Sequence, residues 1–203
     1  MEDLISEDFS EQFSCLAEEE IRDGKKQICF KGVFSEADSL NRNHRIYPKA
    51  VLKEAFENAW GEATKNGSPI FGELEHASDA KPHLERIAVT FPELTWNESK
   101  GTIEGKAVPA DTPMGHLVEG LAKSGIKICF STRCSGRVKP YKGPLAEGLS
   151  NCVEVQPGLK IISIDVVGMP SCQKAVTDTV YESENLTEDI NKKTFKKVFD
   201  SCF

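Results

Sequence analysis

Two strand-like runs, Leu84 to Phe91 and Gly101 to Val108, are separated by little more than the turn formers around Asn97 to Lys100. So short a connection holds no crossover helix, and the two runs form a β-meander. Gln27 to Phe34 and Pro69 to Phe71 add shorter strand signals, and Ile126 to Val138 and Leu159 to Val167 are the richest. A loop of Pro, Gly and Lys around Pro140 to Gly148 separates that last pair, and Met169-Pro170-Ser171 ends its second member. Two helices stand among these strands. Pro48 opens one in which Val51, Leu52, Ala55, Phe56, Ala59, Trp60 and Ala63 recur at three-four spacing, with Gly67 where a C-terminal cap belongs. Thr112 caps the other, Pro113 takes its first position, Leu117, Val118 and Leu121 form its stripe, and Gly125 stops it.

A chain of 203 residues with 39% hydrophobic and 28% charged residues suits one domain with extensions. Residues 1–24 form an acidic N-terminal extension, with eight carboxylates in the first twenty positions interleaved with Leu4, Ile5, Phe9, Phe13 and Leu16. That pattern reads as a frayed amphipathic helix or a removable arm. The folded domain spans 25–178. Residues 179–203 form a C-terminal extension in which Thr187 caps an amphipathic helix, Ile190, Phe195, Val198 and Phe199 being opposed by Lys192, Lys193, Lys196 and Lys197. Such a helix is either a solvated surface element or a docking element.

The net charge of -7 argues against nucleic acid as a partner, because phosphate binding needs a basic footprint. No apolar run reaches about 18 residues, and the first residues are acidic, so neither a membrane span nor a signal peptide is expected, and the chain is placed in a cytoplasm. Seven cysteines without a Cys-x-x-Cys pair fit neither a disulfide framework nor a zinc finger.

Histidine-dependent chemistry has four candidates. His44 and His116 read as surface residues. His76 and His83 are seven apart across a loop containing Pro82, which matches no common metal signature, so neither a metal nor another cofactor is expected. His76 follows a short apolar strand among Glu73, Glu75 and Asp79, where a histidine can be held in one tautomer as a base. Ser131, within Ile126-Lys-Ile-Cys-Phe-Ser-Thr-Arg133, is not singled out by physical chemistry alone.

Five blocks in order are more specific: Asn41-Arg-Asn-His-Arg-Ile-Tyr-Pro48 before a helix, Gly72-Glu-Leu-Glu-His76, Asp111-Thr-Pro-Met-Gly115 before a helix, Ser131-Thr-Arg133, and Ile164-Asp-Val-Val-Gly-Met-Pro-Ser171. Together they resemble the prohead core proteases of tailed phages, the T-even type in particular, which are distantly related in fold to herpesvirus maturation proteases. The resemblance implies an α+β fold, a small and mostly antiparallel β-barrel surrounded by helices. It also implies a serine endopeptidase that trims scaffold, core and capsid proteins inside the assembling prohead in the host cytoplasm. His76 matches the general base and Ser131 the nucleophile, while Arg133 either supports the oxyanion or serves a structural ion pair. Thr132 stands where relatives often carry a second serine, which leaves Ser131 as the serine of the pair. Cys134 replaces a frequent glycine, Ala77 a frequent proline, and Ala88-Val89 a frequent second histidine.

Strand alternation puts Ser163, Asp165 and Val167 on one face and Ile162, Ile164 and Val166 on the other. An acid among aliphatics needs a partner. Asp165 is therefore expected either to orient His76 or to pair with Arg133, Arg137 or Arg86, with Glu73 and Glu75 as reserve acids. Proteins of the resembled family cut after glutamate preceded two positions earlier by an aliphatic residue. Ile5-Ser-Glu7, Leu16-Ala-Glu18, Leu145-Ala-Glu147 and Leu186-Thr-Glu188 fit that pattern and suggest self-processing. Glutamate recognition calls for a cation near the cleft. Lys127, Arg133, Arg137 and Lys139 are nearest in sequence, Lys127 and Arg137 being taken as substrate-binding. Other readings are a noncatalytic scaffold component, a thiol peptidase using Cys129 or Cys134 with His76, and a metal hydrolase through His76 and His83. Self-association stays open.

Overall fold

The computed structural model describes residues 15–179 apart from 23–24, 150, 169–171, 173–174 and 176. The strands are β1 (Cys15–Arg22), β2 (Lys25–Glu36), β3 (Arg45–Ile46), β4 (Ile70–Glu73), β5 (Ile87–Asn97), β6 (Thr102–Pro109), β7 (Cys129–Ser135), β8 (Val138–Pro140), β9 (Val153–Val155), β10 (Lys160–Val167) and β11 (Thr177–Thr179). The helices are α1 (Lys49–Asn66) and α2 (Pro113–Lys123). The fold is thus α+β, mostly strands with two helices. Among the described residues no helix is long and apolar enough to cross a membrane.

The expected meander is β5 and β6, which pair antiparallel up to Asn97↔Thr102. The turn is built by side-chain chemistry: Asn97 Oδ1 accepts from Ser99 Oγ at 2.8 Å and from the Lys100 N–H at 3.2 Å. Both helices have the caps their sequence announces. Thr112 Oγ1 accepts the Gly115 N–H at 3.0 Å, and Gly67 ends α1 in the left-handed region at φ 62°. Leu117, read as part of the α2 stripe, is exposed, and Gly115, Val118 and Ala122 carry the buried face instead.

Cys15–Arg22 is a strand rather than the expected frayed helix, and it pairs antiparallel with β2 from Leu16↔Lys31 to Arg22↔Lys25. Asp23-Gly24 stands between the paired ends, and Asp-Gly is a strong hairpin signal that outweighs a weak helical period. The amphipathic helix expected near Thr187 lies outside the described residues.

Pairing divides the strands into three sheets: β11-β1-β2-β6-β5-β4, the ribbon β10-β7, and β3-β9-β8. The last comes from segments with no sustained alternation. Among the backbone bonds that link the first two groups are Glu75 N–H to Val166 O at 2.7 Å and, beside β11, Phe130 N–H to Ala175 O at 2.8 Å. Phe30 and Phe34 of β2, Phe91 of β5 and Phe130 of β7 meet edge-on at the centre, with ring centroids 5.1 to 6.2 Å apart. Val51, Leu52, Ala55 and Phe56 of α1 close one side of this core. Each fully buried ring stabilises the fold by about 1.5–3 kcal/mol.

Candidate active site

On β7 and β10 a period of two sorts apolar from polar residues. Val166 pairs with Phe130, Asp165 with Ser131 and Ser163 with Arg133. Ile164, Val166 and Phe130 join the hydrophobic core, while Ser131, Arg133, Ser163 and Asp165 are buried polar residues on the other face. A bulge between Ile161 and Ser163 breaks the alternation, so Ile162, expected beside Ile164, lines the cleft instead.

The end of β4 brings the histidine to this face. A Cβ on Gly72 would stand 1.9 Å from Ile164 O, so only glycine lets the two backbones approach this closely. The close approach lets the Glu73 N–H donate to Asp165 Oδ1 at 2.9 Å. Glu75 then turns the chain at φ 60°, held by its N–H on Val166 O and its Oε1 on the Gly168 N–H. His76 follows, with Nδ1 2.6 Å from Asp165 Oδ2.

Asp165 is fully buried, whereas the His76 side chain is 38% exposed. Arg133 Nε lies 3.1 Å from the same Asp165 Oδ2 and 3.1 Å from Ser163 Oγ. Its Nη2 donates to Glu73 Oε1 at 2.6 Å, and Nη1 reaches the carbonyls of Asp79 and Lys81 at 3.1 and 3.3 Å. Glu73 Oε1 also accepts the His83 N–H, and Arg86 Nε lies 3.7 Å from Glu73 Oε2. Arg86 Nη2 donates to the carbonyls of Leu74 and Glu75, just before His76. Two carboxylates and two guanidinium groups therefore balance in charge and hold the segment around His76 at both ends.

His76 and Ser131 both line one open cleft of about 530 Å³. Of the residues expected from the sequence, His76, Ser131, Asp165 and Arg133 come together, while Lys127 and Arg137 do not line the cleft. The Arg133 contacts are those of an internal ion pair, although the residue also lines the cleft. Lys139 pairs with Glu154 at 2.9 Å. Asn43, Arg45 and Tyr47, from the loop before α1 and β3, also line the cleft and are not among the residues expected there. Their signal is the asparagine-rich loop, in which Asn41 Oδ1 accepts the N–H groups of Asn43 and Arg45 at 2.9 and 3.0 Å.

Burial pushes the Cys134 thiol up to about 12 and raises that of Cys129, so both stay protonated near neutral pH, which disfavours a thiolate nucleophile. His83 Nε2 faces Asp79 Oδ1 at 2.8 Å, and among the described residues no group of three His, Cys, Asp or Glu side chains is arranged around a common metal position.

The model of the prohead core protein serine protease family matches residues 13–185. The prohead core protein protease of Enterobacteria phage T4 is 24% identical over 159 residues, covering 74% of this chain and 68% of its own length. Among solved structures, the bacteriophage T4 capsid assembly protease, gp21, superposes with a TM-score of 0.59 at 22% identity, covering 77% of this chain and 98% of that one. That superposition shows a shared fold, and the family match shows descent: the chain belongs to the prohead core protein serine protease family.

Proposed function

We propose that this chain is a serine endopeptidase of capsid assembly, with Ser131 as nucleophile, His76 as general base and Asp165 as the acid that orients His76. The observation that carries this reading is the 2.6 Å contact between His76 Nδ1 and Asp165 Oδ2, with His76 and Ser131 on the same cleft. An Nδ1–H donated to a buried carboxylate leaves Nε2 with its lone pair. In the proposed reaction Nε2 takes the hydroxyl proton as Ser131 Oγ attacks the scissile carbonyl. The imidazolium, stabilised by Asp165, then returns the proton to the leaving amine. Water deacylates the enzyme by the same route in reverse, and backbone N–H groups carry the oxyanion. Arg133 acts as a positioning residue, its donors being engaged with Asp165, Glu73, Ser163 and two carbonyls.

The substrates on this reading are core and capsid proteins, cut after glutamate inside the prohead assembling in the host cytoplasm. The protease also clips itself after Glu7, Glu18, Glu147 or Glu188, within the acidic extension 1–24, the domain 25–178 and the C-terminal extension 179–203. The domain is read as a barrel, a view supported by the bonds of Glu75 to Val166 and Phe130 to Ala175, which bridge the ends of the separate sheets.

The test is incubation of purified protein with a peptide containing Ile-x-Glu, alongside Ser131→Ala and intact-mass measurement of both proteins. Cleavage by wild type alone is expected. Equal cleavage by both proteins would remove Ser131 from the mechanism.

A further inference from the structure

The charged side chains lining the cleft differ in what already faces them. Asp79 is matched by His83 at 2.8 Å, His76 by Asp165, and Arg133 is buried with its donors engaged. Arg45 is exposed and also lines the cleft; its side chain hydrogen-bonds Tyr47, and among the described residues no carboxylate forms an ion pair with it. That is notable in a chain whose 32 acidic residues outnumber its 25 lysines and arginines.

Its backbone is fixed before any ligand arrives. Asn41 Oδ1 accepts the Arg45 N–H at 3.0 Å, the Asn41 N–H donates to Arg45 O at 3.0 Å, and Arg45 pairs with Val153 between β3 and β9. The guanidinium hydrogen-bonds the Tyr47 side chain and acts electrostatically on Cys134, and both of these residues also line the cleft. Burial is the main cause raising the Tyr47 phenol and the Cys134 thiol, and the Arg45 charge opposes both shifts. Cys134 is on the strand that carries Ser131. A planar fork of N–H donors on a rigid wall suits a carboxylate, to which it binds through paired hydrogen bonds.

From this geometry we infer that Arg45 is a specificity-determining residue that receives an acidic side chain of the bound peptide segment. The inference rests on the peptidase reading of the cleft and assigns recognition of the glutamate to the β3 wall rather than to Lys127 or Arg137. Arg45 takes no part in bond breaking.

Two short peptides, identical except for Glu or Gln at the single acidic position, separate these ideas. Wild-type protein is expected to prefer the Glu peptide in kcat/KM by on the order of ten- to hundredfold, the range of a charged hydrogen bond. Arg45→Gln should bring that ratio close to one by slowing the Glu peptide alone, and Arg45→Lys should keep part of the preference. Anisotropy with labelled peptides on Ser131→Ala protein, with and without Arg45→Gln, gives the same comparison without turnover. A Glu preference that survives Arg45→Gln in both assays overturns the assignment and leaves the peptidase standing. A preference in binding that depends on Arg45, with no cleavage by wild type, keeps the anion site and overturns the peptidase. Neither binding nor cleavage of either peptide overturns both.

Discussion

Phe130 and Ser131 are neighbours on β7, yet the two faces of that strand are buried by opposite chemistry. Phe130 meets Phe30, Phe34 and Phe91 at centroid distances of 5.6, 5.1 and 6.2 Å. On the other face Asp165 and Glu73 have no exposure, and Arg133 has 7%. The aromatic face gains from burial itself, without direction, and tolerates changes that conserve volume. The polar face gains little net, because desolvation offsets most of the attraction within a buried ion pair. What it supplies is direction, since each oxygen and N–H must meet a stated partner. The core thus decides whether the chain folds, and the polar face decides where His76 stands.

The largest expected effect tests that division at adjacent residues. Ser131→Ala should lower kcat/KM by on the order of 10⁶ while stability changes by about 1 kcal/mol, the contribution of one buried hydroxyl. Peptide turnover and urea denaturation read the two quantities, and unfolding along with inactivity would place Ser131 on the structural side. Asp165→Asn should cost about 10⁴ in kcat, because the tautomer of His76 is no longer fixed. It should also cost about 3 kcal/mol of stability, because Arg133 loses a buried counter-charge. Near-normal turnover would leave Asp165 only structural. Phe130→Ala should reverse the pattern, losing about 3–5 kcal/mol of stability with turnover per folded molecule retained. A specific loss of kcat in that variant would show that the faces are not separable.

Gly72 sits at the boundary between the two regions. An alanine Cβ there would stand 1.9 Å from Ile164 O, so β4 must withdraw from β10 and carry Glu73 and His76 away from Asp165. Gly72→Ala should cost about 1–3 kcal/mol of stability and roughly 10² in kcat, the effect of misplacing a catalytic group by about 1 Å. Stability loss without loss of kcat would show that the polar face repositions itself.

Elements whose cause is local were legible in the sequence. The caps at Thr112 and Gly67, the turn at Asn97 and the alternation of β10 from Ser163 onward each depend on a few neighbouring residues. The elements that were missed depend on distant partners. β3, β8 and β9 are held mainly by one another, as in Arg45↔Val153 and Val138↔Val155, and none has enough length to show a period. The site divides in the same way. His76 could be suspected from its carboxylate-rich surroundings, whereas the opposition of Ser131 to Asp165 is a matter of register between strands 34 positions apart. Arg86 and Glu73 were candidates in the sequence, but their pairing with each other and of Glu73 with Arg133 is set by the fold, and Arg45 is placed at the cleft by the pairing of β3 with β9.

The smallest expected effect concerns the segment that follows His76. The hydrogen bond between His83 and Asp79 raises His83 above its ordinary value of 6.5 and holds Asp79 below 3.8, with Glu85 a further carboxylate 3.6 Å from His83 Nδ1. The raised His83 contributes fully below pH 6.5, and the contribution is lost as pH rises through its elevated pKa. The lowered Asp79 contributes above pH 3.8, and the contribution is lost as pH falls through its depressed pKa. The pair therefore stands between those limits, and solvent screening keeps its effect on global stability small. Its consequence is local, because the Asp79 and Lys81 carbonyls between the two groups hold Arg133. Losing the pair should loosen the polar face and leave the phenylalanine face unmoved. In an NMR titration His83 should titrate above 6.5 in the wild type and return toward that value in Asp79→Asn. Amide exchange should quicken at 79–83 and not in β2 or β5. Equal His83 titration in the two proteins would show that the pair does not form, and the polar face would then rest on Arg133, Asp165, Glu73 and Arg86.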